Sequence, residues 1–243
     1  MAESGPGSIR LWNDFFGGNA LTNTFDATNL GDFYAGGEGI EDTDAGVAPA
    51  NFLSGAVSIT SANADIDTTF IGTGIGFDVA LMGTIVLEAR VQLPDLDTKE
   101  IYFGLTSILT PDEALEDIIK GASGTTVTIP AEIAGFYLSD ELTDDEAWHG
   151  VHNGGTATGS TTTTGVALGV DAVAGEWQVL RLEVLANGTV RWYIDQVLKQ
   201  TVVGAVSTTT DMAVFLGAAA NTTEFAIMQA DYLLVEAGRD WTV

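Results

Sequence analysis

The sequence predicts an all-β fold, and three observations predict it. Short runs of Val, Ile, Thr and aromatic residues are punctuated by glycine, Thr (30) and Gly (29) are abundant, and helix-forming stretches are thin. At 243 residues the chain has the length at which sandwiches often form one unit, and a hydrophobic fraction of 46% can fill a core.

In chain order, residues 1–20 hold the aromatic cluster Leu11-Trp12-Asn13-Asp14-Phe15-Phe16, read as a first strand or an anchoring arm of the same domain. Residues 21–60 are loop-rich, with acidic turns around Glu38–Asp44, and strands are expected near 52–60 and 66–71. Thr84–Leu93 alternates: Ile85, Leu87, Ala89, Val91 and Leu93 point one way, while Val86, Glu88, Arg90 and Gln92 point the other. A polar loop at Pro94–Glu100 follows, and Ile101, Phe103 and Leu105 resume the core pattern. One short surface helix is expected at about 110–120. Thr110 suits the N-cap, Pro111 the first turn and Glu113 a capping box, while Leu115, Ile118 and Ile119 share a face. Residues 132–139 read as a strand. The acidic loop Asp140–Glu146 then leads to a glycine-flanked loop, Trp148-His149-Gly150-Val151-His152-Asn153. The Thr-rich run 156–165 reads as a long hairpin loop or a weak edge strand.

The clearest local inference lies at 177–203. A two-residue loop at Asn187-Gly188 would set Glu183 against Trp192 and put a charge on the core side. A three-residue loop, Ala186-Asn187-Gly188, pairs Val184 with Val190, Leu182 with Trp192 and Leu180 with Ile194 instead. It also sets Glu183 opposite Arg191 and requires Gly188 in the left-handed region.

These runs carry a family resemblance. Glu176-Trp177-Gln178-Val179-Leu180-Arg181-Leu182, followed by Asn187-Gly188-Thr189-Val190-Arg191-Trp192-Tyr193-Ile194-Asp195, resembles the paired strands of concanavalin A-like (laminin-G/glucanase) jelly rolls. Gln196 stands where that pattern has glycine. Leu87-Glu88-Ala89-Arg90 and the closing Ala230-Asp231-Tyr232-Leu233-Leu234-Val235 resemble two further strands of the same fold. The opening Leu11-Trp12-Asn13-Asp14-Phe15 resembles the start of such proteins among tailed-phage virion structural proteins. The resemblance implies a jelly-roll sandwich of two antiparallel sheets, with 21–243 as a single domain and 1–20 joined to it.

Charge and composition narrow the function. Eight Lys+Arg against 34 Asp+Glu give a net charge of −26, which argues against nucleic acid and an anionic membrane as partners. Cysteine is absent, so thiol chemistry and disulfides are excluded. The opening Met1-Ala-Glu-Ser-Gly-Pro lacks a basic segment followed by an apolar one, which predicts no signal peptide. Glycosidases of this fold present paired carboxylates as E-x-D-x-E along one strand, and that spacing is not found. Glu88 and Glu183 read as outward polar residues near Arg90 and Arg191. No enzyme activity, catalytic residue or cofactor is expected.

Binding residues have bland alternatives beside them. Glu41, Asp42 and Asp44, together with Asp140, Asp144 and Asp145, could hold a structural Ca²⁺ or simply be solvated. Trp148, His149, His152 and Asn153 could bind a glycan, or Trp148 could pack over the sandwich edge. Trp12, Phe15 and Phe16 could anchor a partner, or pack the first strand. The resemblance implies a capsid decoration or other head-associated protein. Such a protein would be made in the host cytoplasm and sit on the capsid exterior as a homo-oligomer on the major capsid protein lattice. A carbohydrate-binding module is the alternative.

Overall fold

The computed structural model describes residues 7–16, 30–53, 55–97, 99–157 and 166–239. The strands up to the helix are β1 (Ser8–Asn13), β2 (Tyr34–Gly36), β3 (Gly46–Pro49), β4 (Val57–Thr60), β5 (Thr68–Gly72), β6 (Phe77–Asp78), β7 (Ile85–Gln92) and β8 (Lys99–Thr106). After α1 (Leu115–Ile118) come β9 (Ala122–Ser123), β10 (Thr126–Val127), β11 (Ile133–Ser139), β12 (Ala147–Asn153) and β13 (Val166–Asp171). The last five are β14 (Trp177–Val184), β15 (Val190–Ile194), β16 (Val197–Val202), β17 (Asp211–Ala220) and β18 (Ile227–Gly238).

The first sheet runs β16-β15-β14-β7-β18-β4-β3, with β1 also paired to β18. The second runs β13-β12-β11-β8-β17-β5-β2, with β6 also paired to β17. Alternation in β7, β14 and β15 sends Leu87, Ala89, Leu180, Leu182 and Trp192 inward, where they meet Phe103, Phe136, Trp148 and Leu216 of the second sheet. The predicted hairpin register is observed. Leu180 pairs with Ile194, Leu182 with Trp192, Glu183 with Arg191 and Val184 with Val190. Gly188 has φ +76°, and a Cβ there would lie 2.5 Å from the Val206 carbonyl oxygen. The next turn keeps its tight form without glycine: Ile194 pairs with Val197, and Asp195 and Gln196 take φ 49° and 66°.

A second apolar cluster lies on the opposite side of the second sheet. Phe70, Tyr102, Tyr137, Val151 and Phe215 point away from the first sheet and are roofed by Leu109, Leu115, Ile118, Ile119, Val127 and Ile129. Phe70 and Phe215 stack with ring centroids 4.8 Å apart. Every residue of β8 and β11 is therefore buried, on both faces.

This roof corrects the helix expectation in extent. The helix covers Leu115–Ile118 rather than 110–120, and the apolar face expected of Leu115, Ile118 and Ile119 is buried. The carbonyls of Pro111 and Glu113 accept hydrogen bonds from the backbone of Gly37 and Glu38, so they are turned away from an earlier helical turn. Half of the predicted capping box forms, since Glu113 accepts from the Thr110 N–H at 2.9 Å. The Leu115 N–H is capped by Thr68 Oγ1, also at 2.9 Å, from a residue distant in sequence. The predicted loop at Trp148–Asn153 is likewise a strand. Its Gly150 serves close packing, because a Cβ there would fall 2.3 Å from Gln200 Oε1.

Candidate functional site

The outer face of the first sheet is the open one. Register places Arg181 of β14 beside Glu88 of β7, Val179 beside Arg90 and Trp177 beside Gln92. On the other side of β7, Tyr232 of β18 stands beside Arg90 and Leu234 beside Glu88. Alternation puts all of these side chains outside, because their neighbours fill the core.

Arg181 is the pivot of this face. It reaches Glu88 at 3.2 Å and Glu183 at 2.9 Å. Tyr232 donates its hydroxyl to Glu88 at 2.8 Å, and Tyr193 donates to Glu183 at 3.1 Å, with Arg191 3.7 Å from the same carboxylate. All four oxygens of the two carboxylates are thereby occupied by protein donors. Burial alone would lower the Arg181 pKa, but the hydrogen bonds and charges of Glu183 and Glu88 outweigh it and raise it. Burial, then the bond to Glu88, raises the Tyr232 phenol and keeps it a donor. A shallow depression of about 330 Å³ lies among Glu88, Val179, Arg181, Tyr193, Gln196 and Tyr232.

Aromatic residues extend the face sideways. Trp12 stacks on Tyr232 with centroids 5.0 Å apart, and the Arg90 guanidinium lies 4.8 Å above the Trp177 ring. Phe52 meets Trp177 edge-on at 5.3 Å. Arg90 is also paired with Asp231 at 2.6 Å and Arg10 with Glu236 at 3.1 Å.

A second polar feature lies at the rim of the roof. Glu100 of β8 is buried and accepts from the Tyr137 hydroxyl at 2.7 Å. Burial pushes its carboxyl up to about 7, against the lowering effect of the Tyr137 bond. Its cavity measures about 210 Å³ and is shared with Glu116, Lys120, Glu141 and Asp65. That is smaller than the roughly 300–1,000 Å³ of ordinary small-molecule sites. By sequence Glu100 ends the polar loop Pro94–Glu100, and only the burial of β8 on both faces makes it stand out.

The residues singled out from the sequence are dispersed. Trp12 is 38% exposed, Phe16 is 70% exposed, and Phe15 turns into the inter-sheet core, so the three form no common patch. Trp148 is enclosed between the sheets and donates to Gln178 at 2.8 Å. His149 lies on the opposite side of β12, and the His152 ring is 6.2 Å from Trp192 on the inner side. Burial lowers the pKa of both histidines. Asn153 donates to the carbonyls of Ile129 and Ala131, tying β12 to the roof. Glu41, Asp42 and Asp44 are exposed in turns, as are Asp144 and Asp145, while Asp140 accepts from Asn221 at 2.5 Å. Among the described residues no group of three or more His, Asp or Glu is arranged to hold a metal ion.

No family model and no curated protein matches this sequence. Solved structures do. A protein of unknown function from Shewanella oneidensis MR-1 superposes with TM-score 0.66 at 14% identity, covering 100% of this chain and 92% of that one. The carbohydrate recognition domain of Emp46p, in its potassium-bound form, gives TM-score 0.56 at 12% identity over 93% of this chain and 98% of its own. The laminarinase catalytic domain from Thermotoga maritima gives 0.58 at 13% identity, covering 96% and 98%. The fold is a concanavalin A-like jelly roll. Jelly rolls of this kind include both lectin domains and glucanases, so the architecture leaves the activity to be argued from the site.

Proposed function

We propose that this jelly roll is a non-enzymatic virion structural protein, a capsid decoration or other head-associated protein that docks on the assembled shell. One observation carries the non-enzymatic part. On the open face, every oxygen of Glu88 and Glu183 is already held by Arg181, Arg191, Tyr193 or Tyr232. A glycosidase needs one carboxyl free to give a proton and another free to attack or to activate water. The virion part rests on the resemblance of the opening Leu11–Phe15 run to tailed-phage structural proteins. A net charge of −26 suits a protein that stays soluble until it meets a complementary surface. Its location would then be the capsid exterior.

The test mixes the purified protein with shells that lack it and sediments them. Saturable co-sedimentation at a fixed ratio per shell is expected. Protein that stays in the supernatant at every concentration contradicts the reading.

Glycan binding is the second reading. It is favoured by the aromatic residues Trp12, Tyr232, Trp177 and Phe52 on the open face, and by a lectin domain among the similar structures.

A further inference from the structure

The pocket at the rim of the roof has walls that accept hydrogen bonds far more than they donate them. Four carboxylates meet there from separate parts of the chain: Asp65 before β5, Glu100 on β8, Glu116 on α1 and Glu141 after β11. Glu100 is the anchor. It is buried, and its two protein donors, the Tyr137 hydroxyl at 2.7 Å and the Ser139 hydroxyl at 3.5 Å, both converge on Oε1. Among the described residues no donor reaches Oε2, although the side chain lines the pocket. The Asn221 amide, also in the wall, gives its N–H to Asp140 at 2.5 Å rather than to Glu100. Lys120 stands exposed at the rim and forms no ion pair with any of the four carboxylates. Ile66, Ala219 and Ala220 supply apolar wall. At about 210 Å³ the pocket has the volume of roughly seven liquid waters, room for a chain of about five non-hydrogen atoms.

We infer that this pocket binds a protonated primary amine at the end of a short alkyl chain. An ammonium group carries three donors and no acceptor, which complements a wall of carboxyl oxygens. Its alkyl stem packs on Ile66, Ala219 and Ala220. A metal ion is the poorer occupant, because no group of three or more His, Asp or Glu among the described residues is arranged to hold one. Anions are repelled by four carboxylates beside a single lysine. Two sources present the required chemistry, a free diamine and a lysine side chain of a protein partner. The pocket belongs to the second sheet and the open face to the first, so the inference stands apart from both the virion and the glycan readings.

Proton release is the signature of occupancy. Burial, helped by Glu141 and Asp140, holds the Glu100 carboxyl at about 7 against the lowering bonds of Tyr137 and Ser139. A bound cation favours the ionised form, so at pH 6 the amine displaces a proton from Glu100. The other charged groups at the pocket are Asp65, Glu116 and Lys120.

Isothermal titration calorimetry of the full chain tests this at pH 6 and fixed ionic strength, in two buffers of different ionisation enthalpy. The probes are n-butylamine, putrescine and Nα-acetyl-lysine methylamide, with n-butanol as the neutral control. The amines should bind with release of about one proton, and n-butanol should not bind. Glu100→Gln should weaken amine binding by about tenfold or more and remove the buffer dependence. It deletes only one of 34 acidic residues, so a general attraction to negative charge would scarcely change. Glu176→Gln, exposed on the other sheet, is the control for that attraction and should change nothing. Lys120→Met should strengthen binding by removing a like charge from the rim. Glu141→Gln should weaken it and covers the case in which Glu100→Gln fails to fold. Putrescine binding more tightly than the lysine derivative assigns the pocket to a free diamine, and the reverse assigns it to a partner's lysine. No binding by any amine, equal binding of n-butanol, or an affinity unchanged in both Glu100→Gln and Glu141→Gln overturns the proposal. Displacement of the amine by Ca²⁺ far beyond ionic-strength-matched NaCl would give the pocket to a metal and overturn it as well.

Discussion

The two sheets of this sandwich treat their outer faces in opposite ways. The second sheet covers its face with the chain's own segment 107–131, so Phe70, Tyr102, Tyr137 and Phe215 have apolar groups above as well as below. The first sheet leaves its face to solvent and lines it with ion pairs centred on Arg181. Apolar burial is worth several kcal/mol per large side chain, whereas half-exposed ion pairs are worth about 1 kcal/mol or less. Stability is thus concentrated on the roofed side. The open side can change its partners at small cost to the fold, and a surface that must bind needs that freedom.

The sharpest way to break this contrast is to cut into the roofed side. Phe215→Ala removes a ring stacked on Phe70 and should cost about 3–5 kcal/mol in chemical denaturation. A loss below about 1 kcal/mol would mean the roof adds little.

Next in size is the buried carboxyl at the roof's rim. Glu100 has its carboxyl raised to about 7 in the folded protein, so between the ordinary carboxylate range and pH 7 the unfolded chain loses this proton first. Folding stability should therefore fall as pH rises through that window, by about 3 kcal/mol from this group alone. Glu100→Gln should flatten that limb of the stability–pH curve, and an unchanged slope would place the dependence elsewhere. Lowered histidine pKa values act in the opposite sense, reducing stability as pH falls below the ordinary histidine range.

Gly188→Val should cost about 2 kcal/mol, because a β-branched residue resists φ +76° and its Cβ would press on the Val206 carbonyl. The open face should yield the smallest effect. Arg191→Ala should change stability by less than about 1 kcal/mol, since the side chain is 41% exposed and Glu183 keeps Arg181 and Tyr193. A cost of several kcal/mol there would erase the difference between the two faces.

Much of the first sheet could be read from the sequence, because one face is buried and the other wet. Ile85–Gln92 and Trp177–Ile194 alternate with period two, and their register followed from keeping Glu183 out of the core. The second sheet was harder for the same physical reason in reverse. β17, Asp-Met-Ala-Val-Phe-Leu-Gly-Ala-Ala-Ala, is buried on both faces and shows no alternation, so its sequence carries no period-two signal although the strand is central. The strand at Ala147–Asn153 was hidden by Gly150, which looked like a loop residue and is a packing residue. The low-complexity run 156–165 lies almost wholly outside the described residues. Of the open site, Glu88 and Glu183 were read as outward and arginine-paired. Glu88 is held by Arg181, 93 residues away in sequence on the neighbouring strand, rather than by Arg90, which turns to Asp231. Pairings across strands distant in sequence cannot be read from spacing, and neither could the aromatic contacts from Trp12 to Trp177.

Reducing-end release from laminarin, by the wild type and by Glu88→Gln and Glu183→Gln, tests most directly whether the open face is a fixed, non-reacting surface. No release above the uncatalysed background is expected from any of the three proteins. Release by the wild type that disappears in either variant would contradict the non-enzymatic reading.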